Sequence, residues 1–162
     1  MTEPVSFFVH GVPAPQGSHT AIKRGDRAII VPGSSTAGRL KHATWRNAVS
    51  LVASQQGAYF DEPVSVGLSF YFAPVKSDSY RTRHVSTPDL DKITRSSIDS
   101  LVAAGLLRDD SLVFDLHACK FYAPSSHATG AMIEIWGFAE EEERDRATLK
   151  EMAKVARKAS RA

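Results

Sequence analysis

The residues with the most chemistry in them lie in one stretch of the chain. Pro88-Asp-Leu-Asp-Lys-Ile-Thr-Arg-Ser-Ser-Ile-Asp-Ser-Leu101 is followed closely by Gly105-Leu-Leu-Arg-Asp-Asp110. Asp89 and Asp91 open a helical pattern. On an ideal helix, residues two apart point about 200° away from each other. Their carboxylates therefore converge only if Asp89 sits at or before the cap, where the backbone is not yet helical. Thr87 and Asp89 are rival caps, and Pro88 suits a first turn. The plain alternative is that acids favour helix N-termini, each worth about 0.3–1 kcal/mol. Asp91, Arg95 and Asp99 recur at i, i+4 and i+8 as a polar ridge. Arg95 is either an ordinary helix partner, worth about 0.2–0.5 kcal/mol, or a phosphate ligand beside a metal. Asp109 and Asp110 form a second acidic pair, which is either solvated turn chemistry or a further ligand.

Clustered carboxylates are what a hard divalent ion requires. Mg²⁺ takes oxygen ligands, commonly one or two carboxylates with waters and substrate phosphate oxygens. Such an ion polarises a phosphoryl oxygen and lowers the pKa of a bound water. A guanidinium nearby adds charge stabilisation in the transition state.

These groups need a scaffold. Val5, Phe7 and Val9 alternate as a first strand, and a long Gly/Pro loop follows from Gly11 to about Gly38, with Arg27–Val31 as a short strand within it. Loops of that length in a compact domain are often functional. Trp45, Ala48, Val49 and Val52 mark a helix over Lys41–Gln56, with Gly57 as its stop. Residues 64–72 alternate cleanly, Val64, Val66, Leu68, Phe70 and Phe72 facing in. The second helix carries Leu90, Ile93, Ile98 and Leu101 as its stripe and ends at Gly105. Two strands follow, near Val113–Tyr122 and Ala131–Phe138. This order predicts an α+β fold, a mixed β-sheet with two main helices packed on it plus a charged C-terminal helix.

The whole chain has 162 residues, 43% of them hydrophobic, which suits one compact domain with a short appendage. The expected division is residues 1–139 and a charged helical extension, 140–162. The excess of 20 Lys and Arg over 18 Asp and Glu is too mild to announce nucleic acid, so any polyanion argument rests on where the charges sit. Cys119 is the single cysteine, and no Cys/His spacing resembles a zinc site. With no basic start and apolar run of a signal peptide, a reducing, cytoplasmic setting is expected.

Pro-Asp-Leu-Asp-Lys92, Arg95, Ile98-Asp-Ser-Leu101, Arg108-Asp-Asp-Ser111 and Lys120 resemble the RusA-like family of Holliday junction resolvases. So does Gly11-Val-Pro-Ala-Pro-Gln-Gly17, which is similar to that family's Gly/Pro-rich segment after the first strand. The resemblance covers roughly residues 5 to 138. It implies a homodimeric, Mg²⁺-dependent endonuclease that cuts four-way DNA junctions symmetrically. By position it makes Asp89, Asp91 and Asp110 the metal-holding carboxylates and Arg95 the catalytic cation. The family commonly has lysine at Arg95, and a planar guanidinium is not an interchangeable point charge. It often has Asn where Lys92 stands.

Beyond that set, Lys76, Tyr80, Arg81, Arg83 and His84 form a basic loop with one aromatic, suited to tracking phosphates and stacking on an unpaired base. Lys120 is a further candidate phosphate contact; each of these is otherwise a solvated surface residue. Asp115, His117 and Cys119 alternate on one strand face, about 6.6 Å apart along it, too far for a relay of direct hydrogen bonds. Two other readings compete with the endonuclease. One is a non-catalytic nucleic-acid-binding module on the same scaffold. The other is a small-nucleotide phosphohydrolase, which would call for a phosphate-cradling motif that the sequence lacks.

Overall fold

The structure is a computed structural model that describes residues 3–17, 19–24, 27–32, 35–74 and 82–138. In chain order the elements are β1 (Val5–His10), β2 (His19–Arg24), β3 (Arg27–Pro32), α1 (Thr36–Ser54), β4 (Val64–Phe72), α2 (Leu90–Ala103), β5 (Val113–Tyr122) and β6 (Gly130–Gly137). Four strands form one sheet in the order β1-β6-β4-β5, while β2 and β3 make a separate hairpin. Within the sheet, β4 runs antiparallel to β6 and parallel to β5. Parallel neighbours cannot be joined by a tight turn, so the chain crosses over through α2. That crossover delivers the acidic segment to the edge of the sheet. The α+β expectation, a mixed sheet with two helices, is met.

The core lies between one face of the sheet and the two helices. Val64, Val66, Leu68, Phe70 and Phe72 of β4 are all buried against it, as their alternation predicts. Trp45, Val49 and Ala53 come from α1, Ile93 and Leu101 from α2, and Ile133 and Ile135 from β6. Each large side chain buried this way contributes about 1.5–3 kcal/mol. The stripe on α2 is wider than its apolar residues suggest, because Ser96, Ser97 and Ser100 are also completely buried. A helix held by a sheet and a second helix is covered over more than one stripe, and small residues let α1 come close. Trp45 Nε1 donates to Ser97 Oγ at 3.2 Å, and Ser97 Oγ donates to the Ile93 carbonyl at 2.9 Å. Ser50 Oγ donates to the Ser100 carbonyl at 3.1 Å.

Three features differ from the sequence expectation. Helix α1 starts at Thr36, ahead of Lys41, because Ser35 caps it: its Oγ accepts from the Gly38 N–H at 3.1 Å. The Gly/Pro loop contains β2, paired along its length with the expected strand β3. The face of β4 that points away from the helices is also partly closed. Ser65 Oγ donates to Asp115 Oδ2 at 2.7 Å, Trp136 lies over Gly67, and Tyr71 stacks on Phe121. The expected C-terminal helix lies outside the described residues. Among those described, no helix is long and apolar enough to cross a membrane.

Candidate active site

The turn into α2 decides where the first two acids go. Asp89 is the N-cap, with extended backbone and no side-chain capping bond, so Pro88 stands outside the helix and not in its first turn. The Asp89 carboxylate pairs with Lys92 Nζ at 2.9 Å. That hydrogen bond and the opposite charge raise the Lys92 pKa above its ordinary value. Asp91 lies in the first helical turn. Strand β5 holds this turn from below, since Lys120 Nζ donates to the carbonyls of Ser86 and Pro88, both at 2.7 Å. On the other side, the Gln16 N–H donates to the Lys92 carbonyl at 3.4 Å and ties the Gly/Pro loop to α2.

The second acidic pair is positioned by a different device. Gly105, at φ +72°, ends α2 in the left-handed region that glycine enters freely. The Leu106 N–H donates back to the Leu101 carbonyl at 3.1 Å, and Leu106 and Leu107 are both fully buried. Phe60 clamps the same segment: its N–H donates to Leu106 at 2.8 Å and its carbonyl accepts from the Arg108 N–H at 2.9 Å. Asp109 then caps a short 3₁₀ turn, Asp110–Leu112, accepting from the Ser111 N–H at 2.9 Å. Its bonds to Ser111 hold the Asp109 carboxyl below its ordinary pKa. The two acids therefore have separate tasks, with Asp109 building the turn.

Asp110 faces a cavity. It lines a space of about 450 Å³ together with Asp91, Arg95 and Asp99, over a floor that includes Ile98 and Leu116. The fold thus brings residues nineteen apart in sequence, Asp91 and Asp110, to one cleft between α2 and the exposed edge of β5. Asp89 lines a neighbouring cavity of about 510 Å³ instead. Among the described residues, no three His, Cys, Asp or Glu side chains stand close enough to hold a metal together. Two carboxylates with an open, solvated cleft still suit Mg²⁺, which keeps several waters and leaves positions for phosphate oxygens. The donor set fits the ion.

Helix α1 brings two further residues toward the ridge. His42 and Arg46 approach the ridge closely enough for their charges and that of Asp99 to interact. Burial first, and Arg46 second, lower the His42 pKa, while Asp99 opposes them. Their i, i+4 spacing on a polar flank carried no signal, because only helix packing places that flank beside α2.

Of the basic loop, Lys76, Tyr80 and Arg81 lie outside the described residues. Arg83 sits over the Phe121 ring, 5.4 Å from its centroid. His84 packs inward: its ring stacks on Phe72 at 4.2 Å and meets Tyr122 edge-on at 5.0 Å. Burial, then the charge of Lys120, lowers its pKa. Asp115, His117 and Cys119 occupy the sheet face away from the helices, but backbone spacing alone misjudged their reach. Cys119 Sγ lies 3.3 Å from His117 Nε2, because the two side chains lean together along the strand.

Residues 11–135 match the family model described as Endodeoxyribonuclease RusA, a span that includes the Gly/Pro segment, both helices and both acidic pairs. The chain belongs to the RusA family. It is accordingly an enzyme of the endodeoxyribonuclease class, from a family of Holliday junction resolvases, as the acidic motifs and their order suggested. No match was found among curated proteins. Within this RusA-family chain, the cleft between α2 and β5 gathers Asp91, Arg95 and Asp110 of the motif residues, while Asp89, Lys92 and the Gly/Pro segment line the neighbouring cavity.

Proposed function

We propose that this RusA-family endonuclease resolves four-way DNA junctions by Mg²⁺-dependent, symmetric phosphodiester hydrolysis in recombination and repair. The observation that carries the reading is the shared cleft of Asp91, Arg95 and Asp110. Bound there, Mg²⁺ would supply a polarised phosphoryl oxygen and an ionised water at neutral pH. Asp91 and Asp110 would hold it, with Asp89 as the third carboxylate once its ion pair with Lys92 is exchanged. Arg95, one turn beyond Asp91, places its guanidinium against the phosphoryl oxygens as negative charge builds on them. Lys120 keeps the Ser86–Pro88 turn against β5, and so keeps Asp89 and Asp91 in position. Arg83, with Lys76, Tyr80 and Arg81 of the same loop, tracks the DNA, while His84 anchors the loop by packing inward on Phe72 and Tyr122.

Symmetric cuts call for two active sites related by a two-fold axis, so the working unit is an isologous homodimer acting in the cytoplasm. Residues 1–139 make up the endonuclease unit, and 140–162 extend it.

The test compares a four-way junction with a linear duplex of the same sequence, with and without Mg²⁺. Wild type should cut the junction alone and only with the ion. Asp110→Asn should bind the junction at least as tightly without metal, because one repulsive charge is gone, yet cut it at least about a hundredfold more slowly. Cleavage by Asp110→Asn at the wild-type rate would remove Asp110 from the chemistry.

A further inference from the structure

Arg95 has a carboxylate one helical turn away on each side. Asp91 precedes it by four residues and Asp99 follows it by four, and all three line the cleft with Asp110. Side chains four apart on a helix are neighbours, with about 5–6 Å between their Cβ atoms, so the guanidinium reaches either acid by rotation of its own stem. In the structure it is committed to neither. Among the described residues, no hydrogen bond or ion pair joins Arg95 or Asp99 to a partner.

The two acids are not equivalent. Asp91 is exposed and is one of the carboxylates assigned to Mg²⁺. Asp99 is half-buried, and its chain neighbours Ile98 and Ser100 are both buried. A carboxylate partly withdrawn from water gains more from a nearby cation than one in full solvent. On the α1 side, the charge of Asp99 acts on His42, whose charged form is disfavoured first by burial and then by Arg46. On the cleft side the available cation is Arg95.

We infer that Asp99 is a positioning residue for Arg95, taking one edge of its guanidinium while Asp91 is engaged with the ion. The inference rests on the proposed nuclease reading. A guanidinium that stayed on Asp91 would contest the oxygens needed for Mg²⁺; drawn to Asp99, it leaves them free. Arginine carries five N–H donors in a fixed planar fork, so one edge binds Asp99 while another faces a phosphate oxygen. Asp99 touches no reacting atom and acts only through Arg95.

The experiment is a double-mutant cycle of Asp99→Asn and Arg95→Ala, read by single-turnover cleavage of a four-way junction across a Mg²⁺ series. Asp99→Asn should slow the wild type about tenfold, the scale of coupling between neighbouring charges, and raise the Mg²⁺ needed for half the maximal rate. In the Arg95→Ala background the same change should alter the rate by less than about twofold and leave the Mg²⁺ midpoint in place. Asp99→Glu keeps the carboxylate and should recover most of the wild-type rate. Equal slowing in both backgrounds means that Asp99 works without Arg95, as an ion ligand or a base, and overturns the inference. An unchanged rate for Asp99→Asn overturns it as well. A second readout needs neither DNA nor metal. In ¹⁵N spectra of the protein alone, the side-chain Nε–Hε signal of Arg95, identified by its loss in Arg95→Ala, should shift in Asp99→Asn and exchange faster with water. A signal indifferent to Asp99→Asn removes the pair. If wild type cuts no junction while that signal responds, the nuclease reading falls and the pair stands.

Discussion

Replacing Lys120 with Met should slow cleavage by loosening the turn that carries the acids, and should leave the number of DNA phosphate contacts unchanged. Methionine keeps most of the length of the side chain and removes its charge. In the wild type, Nζ donates to Ser86 and Pro88 at 2.7 Å, and the bond to Pro88 is the half-buried one. Hydrogen bonds from charged donors contribute about 1.5–3 kcal/mol when protected and less when water replaces them, so about 2 kcal/mol holds the turn. At about 1.4 kcal/mol per factor of ten, the productive arrangement becomes roughly 30-fold rarer, and cleavage slows by that factor. The same loss lowers the melting temperature by about 4–8 °C in a chain of this size. Single-turnover cleavage of a four-way junction measures the first effect and thermal unfolding the second. A salt series on junction binding supplies the control, because a lost phosphate contact reduces the slope of log K against log salt by about 0.9. If Lys120→Met keeps the wild-type rate and melting temperature while the slope falls by that amount, Lys120 is a phosphate ligand and the positioning argument is wrong.

Three further outcomes are expected. Arg81→Ala together with Arg83→Ala should weaken binding to all DNA and reduce the salt slope by about 1.8, with Mg²⁺ affinity unchanged; an unaltered slope would return the loop to ordinary surface. His84, with its pKa held below the ordinary 6.5 by burial, is protonated first in the unfolded chain. Its contribution to stability is therefore present above pH 6.5 and is lost as pH falls from there through the folded pKa, and His84→Phe should flatten that part of a melting-temperature profile. Gly130→Ala should cost about 2–4 kcal/mol in chemical denaturation, because the new methyl would meet the Val9 carbonyl and the Phe8 ring at a backbone φ of +156°. A midpoint shift too small for 1 kcal/mol would show that the β1–β6 edge yields there.

Much of this protein is written locally. The alternation of Val64 through Phe72 required a half-buried strand, and pairing with β5 and β6 on both sides only deepened its burial. The spacing of Trp45, Val49 and Val52, and the glycines at 57 and 105, marked two helices and their ends, since periodicity and positive φ are properties of neighbouring residues. The order of Asp89, Asp91, Arg95 and Asp110 was enough to indicate the family. Tertiary structure decided the rest. Burial of Ser96, Ser97 and Ser100 follows from α1 lying against α2, a contact between segments about fifty residues apart. The parting of Asp89 from Asp91 depends on where the cap falls, and the meeting of Asp91 with Asp110 on Leu106, Leu107 and Phe60 anchoring the intervening turn. Lys120 stood out in the sequence as a candidate phosphate contact, and only the crossover, which brings the carbonyls of Ser86 and Pro88 within its reach, shows what it holds. Side-chain type and spacing set which chemistry is available; only packing across the chain sets which groups share a cavity, because distance in space is not a local property.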